Sequence, residues 1–205
     1  MHLEFLVEEP SMEAALMNIV PKIIPASTTF YVHPFPDKPT LLKELPKRLK
    51  GYRRWIPDSY RIIVLVDEDR KDCHELKAKL ERAALNAGFH TKSRNSDGIF
   101  QVINRVVVEE LEAWFFGDWE AVRQAFPRVS RTIPNKKKYR YPDKITGGTW
   151  EALERIFRYA GYFPGGLEKI TAAKEISRFM EPDRNRSHSF KVFREGLRSM
   201  EHSPG

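Results

Sequence analysis

The aliphatic run Ile62 to Val66 is not interrupted by any polar residue, which predicts a strand buried on both faces, and it stops at Asp67-Glu68-Asp69. From Lys71 to Ala87 apolar residues recur at Cys73, Leu76, Leu80, Ala83, Ala84 and Ala87, a near-helical spacing that Gly88 ends. The same grammar of strand, acid and helix occurs at the start of the chain. His2 to Val7 alternates weakly and runs into Glu8-Glu9, and Pro10 or Ser11 then opens a helix carrying Met12, Ala15, Leu16 and Ile19. Thr28 to His33 reads as a strand closed by Pro34 and Pro36, followed by a helix over Leu41 to Leu49 interrupted at Pro46. Phe89 to Arg94 suggests a short strand and Asn95 to Gly98 a turn. Phe100 to Val108 is a further strand, strongest over Val106 to Val108, and a helix follows from Glu109, with a second part over Trp119 to Phe126. In that helix Leu111, Trp114 and Phe115 form one buried face and leave Glu109 and Glu112 together on another. Pro127 to Gly148 lacks periodicity and reads as a long loop. Helices follow over 149–162, 167–180 and 187–200, and Glu201 to Gly205 is expected to fray.

Strands each followed by a helix predict an open α/β sheet, mainly parallel and flanked by helices. Residues 1–126 hold that pattern, and residues 127–205 form a basic loop and a helical C-terminal extension packed on it. At 205 residues the chain has ample material for a core. No stretch approaches the apolar length of a membrane span, and the first residues do not read as a secretory signal. A single cysteine, Cys73, fits a reducing, cytoplasmic setting and a packing role.

The net charge of +7 comes from lysines and arginines bunched at Lys43 to Arg54, Lys136 to Arg140 and Arg178 to Arg198. A cationic surface around a group of acids suits a metal site that works on phosphates, whereas charge alone also fits a merely well-solvated protein. The acids fall in three clusters, each after a strand: Glu8/Glu9 with Glu13 one turn on, Asp67/Glu68/Asp69, and Glu109/Glu110/Glu112. In a parallel sheet all three open on one edge. Taken singly, each also fits an acid complementing a helix N-terminus. Taken together, carboxylates that meet repel unless a cation lies between them. Oxygen donors without His or Cys favour Mg²⁺ or Mn²⁺, the ions of phosphodiester cleavage. Asp67 and Asp69, two apart at a strand end, form the sharpest pair. No glycine-rich phosphate loop is present, so ATP hydrolysis would fall to a partner.

A glutamate after the first strand and an Asp-x-Asp after a later one resemble the Toprim signature of topoisomerases, primases and the nucleases associated with overcoming-lysogenization-defect ATPases. More closely, Val7-Glu-Glu-Pro-Ser-Met-Glu13, Leu65-Val-Asp-Glu-Asp69 and Val108-Glu-Glu-Leu-Glu-Ala-Trp-Phe-Phe-Gly-Asp118 resemble the domain-of-unknown-function 4276 family. The likeness continues through Ile133-Pro-Asn-Lys136, Lys174 and Ser189-Phe190. It implies a Toprim-like fold and a metal-dependent nuclease, in phage defence beside an ATPase partner. By that resemblance Glu8 matches the Toprim glutamate, Asp67 and Asp69 its metal-binding pair and Glu112 the family's helix acid, which makes these four the expected catalytic residues; Glu8, Asp67 and Asp69 would hold Mg²⁺ or Mn²⁺, with Glu112 or Glu13 completing the site. Glu9-Pro10 departs from the glycine common in Toprim proteins, which narrows substrate approach. Lys136, Lys137, Lys138 and Arg140 can track a nucleic-acid backbone, with Tyr139 and Tyr141 stacking a base and Lys174 on phosphate. Trp114 reads as core and His188 as a cap or surface residue. The rivals are a noncatalytic adaptor that binds nucleic acid or an ATPase, and phosphotransfer or hydrolysis on a small nucleotide.

Overall fold

The computed structural model describes residues 1–68, 73–95 and 99–200. Asp69, Lys71, Ser96 to Gly98 of the expected turn and the tail Glu201 to Gly205 lie outside the described residues. Four strands, β1 (His2–Val7), β2 (Thr29–Pro34), β3 (Tyr60–Asp67) and β4 (Val102–Val107), form one sheet in the order β2-β1-β3-β4. Every pairing is parallel, with Val7 beside Pro34 and Leu65, and Asp67 beside Val107. The expected α/β sheet is therefore present, and all strand ends open on one edge.

Alternation along the strands splits the core in two. Leu3, Phe5 and Val7 with Ile63 and Leu65 face α1 (Pro10–Ile19), α4 (Glu112–Gly117), α5 (Trp119–Ala125), α6 (Thr149–Tyr159), α7 (Lys169–Phe179) and α8 (His188–Met200). Leu6, Ile62, Val64 and Val66 face α2 (Lys38–Tyr52) and α3 (Cys73–Asn86). The C-terminal helices thus share the larger core with the sheet. Trp114 joins them to α4, stacking on Phe193 at 5.0 Å while its Nε1 donates to Ser189 Oγ at 3.1 Å.

Three expectations give way to tertiary context. Pro46 does not interrupt α2. Its cost of about 3 kcal/mol is offset by burying Leu41, Leu45, Leu49 and Tyr52 at roughly 2 kcal/mol each, and Asp37 starts the helix early by accepting the Thr40 amide at 2.7 Å. Phe89 to Arg94 forms only an isolated bridge from Thr91 to Val102, because the chain turns where Arg94 N–H donates to the Thr91 carbonyl at 3.1 Å. The segment 127–148 is not a loose loop. It holds three 3-10 turns, Ile133–Asn135, Lys137–Tyr139 and Pro142–Lys144, pinned by buried Ile133, Tyr139 and Ile145.

Candidate functional site

The strand order fixes where a ligand has room. From β1 the chain crosses to β2 on one side, then returns to place β3 and β4 on the other, so the direction of winding reverses between β1 and β3. A crevice opens outside the carboxyl ends at such a reversal. Glu8 follows β1 and Asp67 ends β3, on either side of that crevice.

The two are in contact: the Asp67 amide donates to Glu8 Oε2 at 2.9 Å, and buried Lys38, the first residue of α2, sets its ammonium 3.6 Å from the same oxygen. Glu9 precedes Pro10 at the start of α1. Its Oε1 accepts from Ser11 Oγ at 2.5 Å and lies 3.7 Å from the Lys169 ammonium. After β4, Glu109 is not helical. It sits at φ 62, and its amide donates to Glu68 Oε2 at 3.2 Å. Left-handed backbone on a bulky residue costs about 1–3 kcal/mol and marks places where geometry is constrained. Because of this turn the helix starts only at Glu112, so Glu109 and Glu112 do not share a helix face. Glu110 caps α6 instead, accepting from the amides of Thr149 and Trp150 at 3.1 and 2.9 Å and from Thr149 Oγ1 at 2.8 Å.

Lys169, the first residue of α7, is the cation at the centre of this edge. Burial alone pulls its ammonium down, but Glu112, Glu9, Glu110 and Asp67 more than offset that and hold it above its ordinary value. One acid or more from each of the three clusters therefore acts electrostatically on Lys169. Glu112 is strongly perturbed. It is 2 % exposed, and burial pushes its carboxyl up to about 7, with Lys169 opposing and Glu110 and Glu9 adding to the rise. Its Oε2 finds no hydrogen-bond partner among the described residues. A buried acid shifted this far by desolvation and named charge partners is a candidate for proton transfer or ligation.

Among the described residues no group of three or more His, Cys, Asp or Glu is gathered tightly enough to hold a metal ion. Mg²⁺ needs no such cage, because it keeps several waters and commonly takes one or two carboxylates together with substrate phosphate. The donors at the crevice, the hard carboxylate oxygens of Glu8 and Asp67, fit that chemistry.

The other expected residues are placed elsewhere. Glu13 is half-buried in the first turn of α1. Lys174 is exposed farther along α7, and its carbonyl accepts from Asn18 Nδ2 at 3.3 Å. Lys136, Lys137, Lys138 and Arg140 are exposed. Tyr139 does not offer its face to a base: the ring is buried, stacked on Phe116 at 5.3 Å, whereas Tyr141 is 63 % exposed. Asp118, the last acid of the Glu-Ala-Trp segment, is structural, bound by Arg184 at 2.7 and 3.0 Å and by the Glu181 amide at 2.8 Å. His188 is exposed at the start of α8, where its amide donates to Asp143 Oδ2 at 2.7 Å.

The model of the family described as domain of unknown function DUF4276 matches residues 7–198, nearly the whole chain. No curated protein and no solved structure matches it.

Proposed function

The chain belongs to the DUF4276 family, and we propose that it is a Mg²⁺- or Mn²⁺-dependent phosphodiesterase with a Toprim-like sheet, acting on nucleic acid. The observation that supports this most is the fully buried Glu112, its carboxyl near 7, at a strand edge where acids following three strands act on one lysine. Glu8 and Asp67, on the two sides of the crevice, would hold the ion, with Asp69 two residues on in the sequence. A bound divalent ion supplies an acidified water and charge neutralisation on phosphate. Glu112, with its carboxyl close to neutrality, takes the proton of the attacking water. Lys169, kept charged by its acidic neighbours, stabilises negative charge on the phosphoryl oxygens. Lys38 and the Asp67 amide fix the orientation of Glu8. The exposed cations from Lys136 to Arg140, with Tyr141, face a polyanionic strand.

The test is cleavage of labelled single- and double-stranded DNA and RNA with Mn²⁺ or Mg²⁺. We expect cutting that Asp67→Asn and Glu112→Gln abolish while both variants keep the wild-type circular dichroism. Failure to cut any of them, with no calorimetric metal binding that Asp67→Asn removes, overturns the proposal. A second reading has its own support: Lys38 and Lys169 already place positive charge among the acids. On that reading the domain is a noncatalytic adaptor for nucleic acid or an ATPase, and salt-sensitive binding survives loss of Asp67.

A further inference from the structure

A cavity of about 390 Å³ lies between the 127–148 segment and α6, away from the acidic edge. Arg128, Lys136, Lys138 and Arg155 line it, and no aspartate or glutamate does. None of these four cations makes an ion pair among the described residues, although Arg158, on the same helix, is paired with Glu154 at 3.4 Å. Arg128 is held ready: its Nη2 donates to the Gly161 carbonyl at 2.7 Å and its guanidinium lies 4.1 Å over the Tyr162 ring. The floor is rigid too, since Tyr139 beneath Lys138 is stacked on the core residue Phe116. Four unpaired cations around a concave space select a compact polyanion, and Arg with Lys is the pairing that grips phosphate.

The rest of the lining narrows the ligand. Tyr159 stands at the rim 94 % exposed, an uncovered aromatic face, and Ile133 and Ile156 add an apolar wall. An exposed ring beside a cationic hollow suits a base stacked next to its own phosphate. The volume is in the range of small-ligand sites, roughly 300–1,000 Å³.

We propose that this cavity is a nucleoside phosphate site: Arg128, Lys136, Lys138 and Arg155 hold the phosphate and Tyr159 stacks the base. It stands on the cavity's own lining and not on hydrolysis at the acidic edge. The two are connected through α6, whose first residue is tied to Glu110 and whose Arg155 and Tyr159 lie about 9 and 15 Å farther along at the helical rise. The ligand is therefore either a free nucleotide or one nucleotide of a strand that also reaches the crevice.

Isothermal titration of the full-length protein with AMP, adenosine and a 5′-phosphorylated oligonucleotide at low salt tests this. We expect saturable AMP binding, at least tenfold tighter than adenosine and weakened by added salt. The double variant Lys136→Ala, Arg155→Ala should lose at least tenfold in AMP affinity, and Tyr159→Ala about tenfold, the scale of one base stack. Asp67→Asn should bind AMP like the wild type, which separates this site from the acidic edge. Tighter binding of the oligonucleotide assigns the site to a strand, and equal binding assigns it to free nucleotide. Absence of saturable AMP binding, equal affinity for adenosine, or an unchanged affinity in the double variant with its wild-type circular dichroism intact overturns the proposal.

Discussion

Glu112→Gln turns a buried charge of the edge into a stability measurement. Burial raises this carboxyl from its ordinary 4.5 to about 7. Protons therefore bind the folded state more tightly than the unfolded chain. Stability from this group is fully present below about pH 4.5 and is lost as pH rises through about 7. At 1.36 kcal/mol per tenfold change in proton affinity, the loss is roughly 3 kcal/mol. Glutamine has the shape of the protonated acid and cannot ionise. The variant and wild type should thus be nearly equal in urea unfolding near pH 4.5, and the variant should be more stable by about 3 kcal/mol near pH 8.5. Other titrating groups affect both proteins alike, so the difference between the two curves reports Glu112. Parallel curves with a constant offset would refute the burial argument.

Further expectations follow from neighbouring residues. If Glu112 takes the proton, kcat/KM for the phosphodiester substrate should rise with pH through about 7 and flatten above it, as a pH-rate profile would record. Lys169→Met removes the cation among Glu112, Glu9, Glu110 and Asp67, so it should move that midpoint upward and lower the maximal rate by about tenfold or more. Asp118→Ala strips partners from the Glu181 amide and from Arg184. Urea unfolding should show a loss of roughly 3 kcal/mol, with cleavage per folded molecule unchanged.

The strand ends of the site could be read from the sequence, and the residue at its centre could not. Ile62 to Val66 is apolar throughout because helices cover both faces of β3, and that left Asp67 as an obvious polar terminus. Glu8 stands out after β1 because it follows the apolar Phe5-Leu6-Val7 and precedes Pro10. Lys169 lies far along the chain from both and reaches the acids only because α7 is packed on the same face of the sheet as α1, a contact that no local pattern encodes. Lys174, singled out instead, is five residues on and therefore about 140° around the helix from it. Glu109 was misread because its left-handed backbone leaves the charge pattern of a helix start unaltered. Tyr139, set among lysines, looked solvent-facing until Phe116 supplied its partner.

What most directly tests the acidic edge as a divalent-cation site is the anomalous difference map of crystals soaked in Mn²⁺, recorded for the wild type and for Asp67→Asn. We expect a manganese peak in the crevice between the ends of β1 and β3, against Glu8 and Asp67, and no peak in the variant. A wild-type map without manganese there, with Lys38 and Lys169 still serving as the cations of the edge, would contradict it.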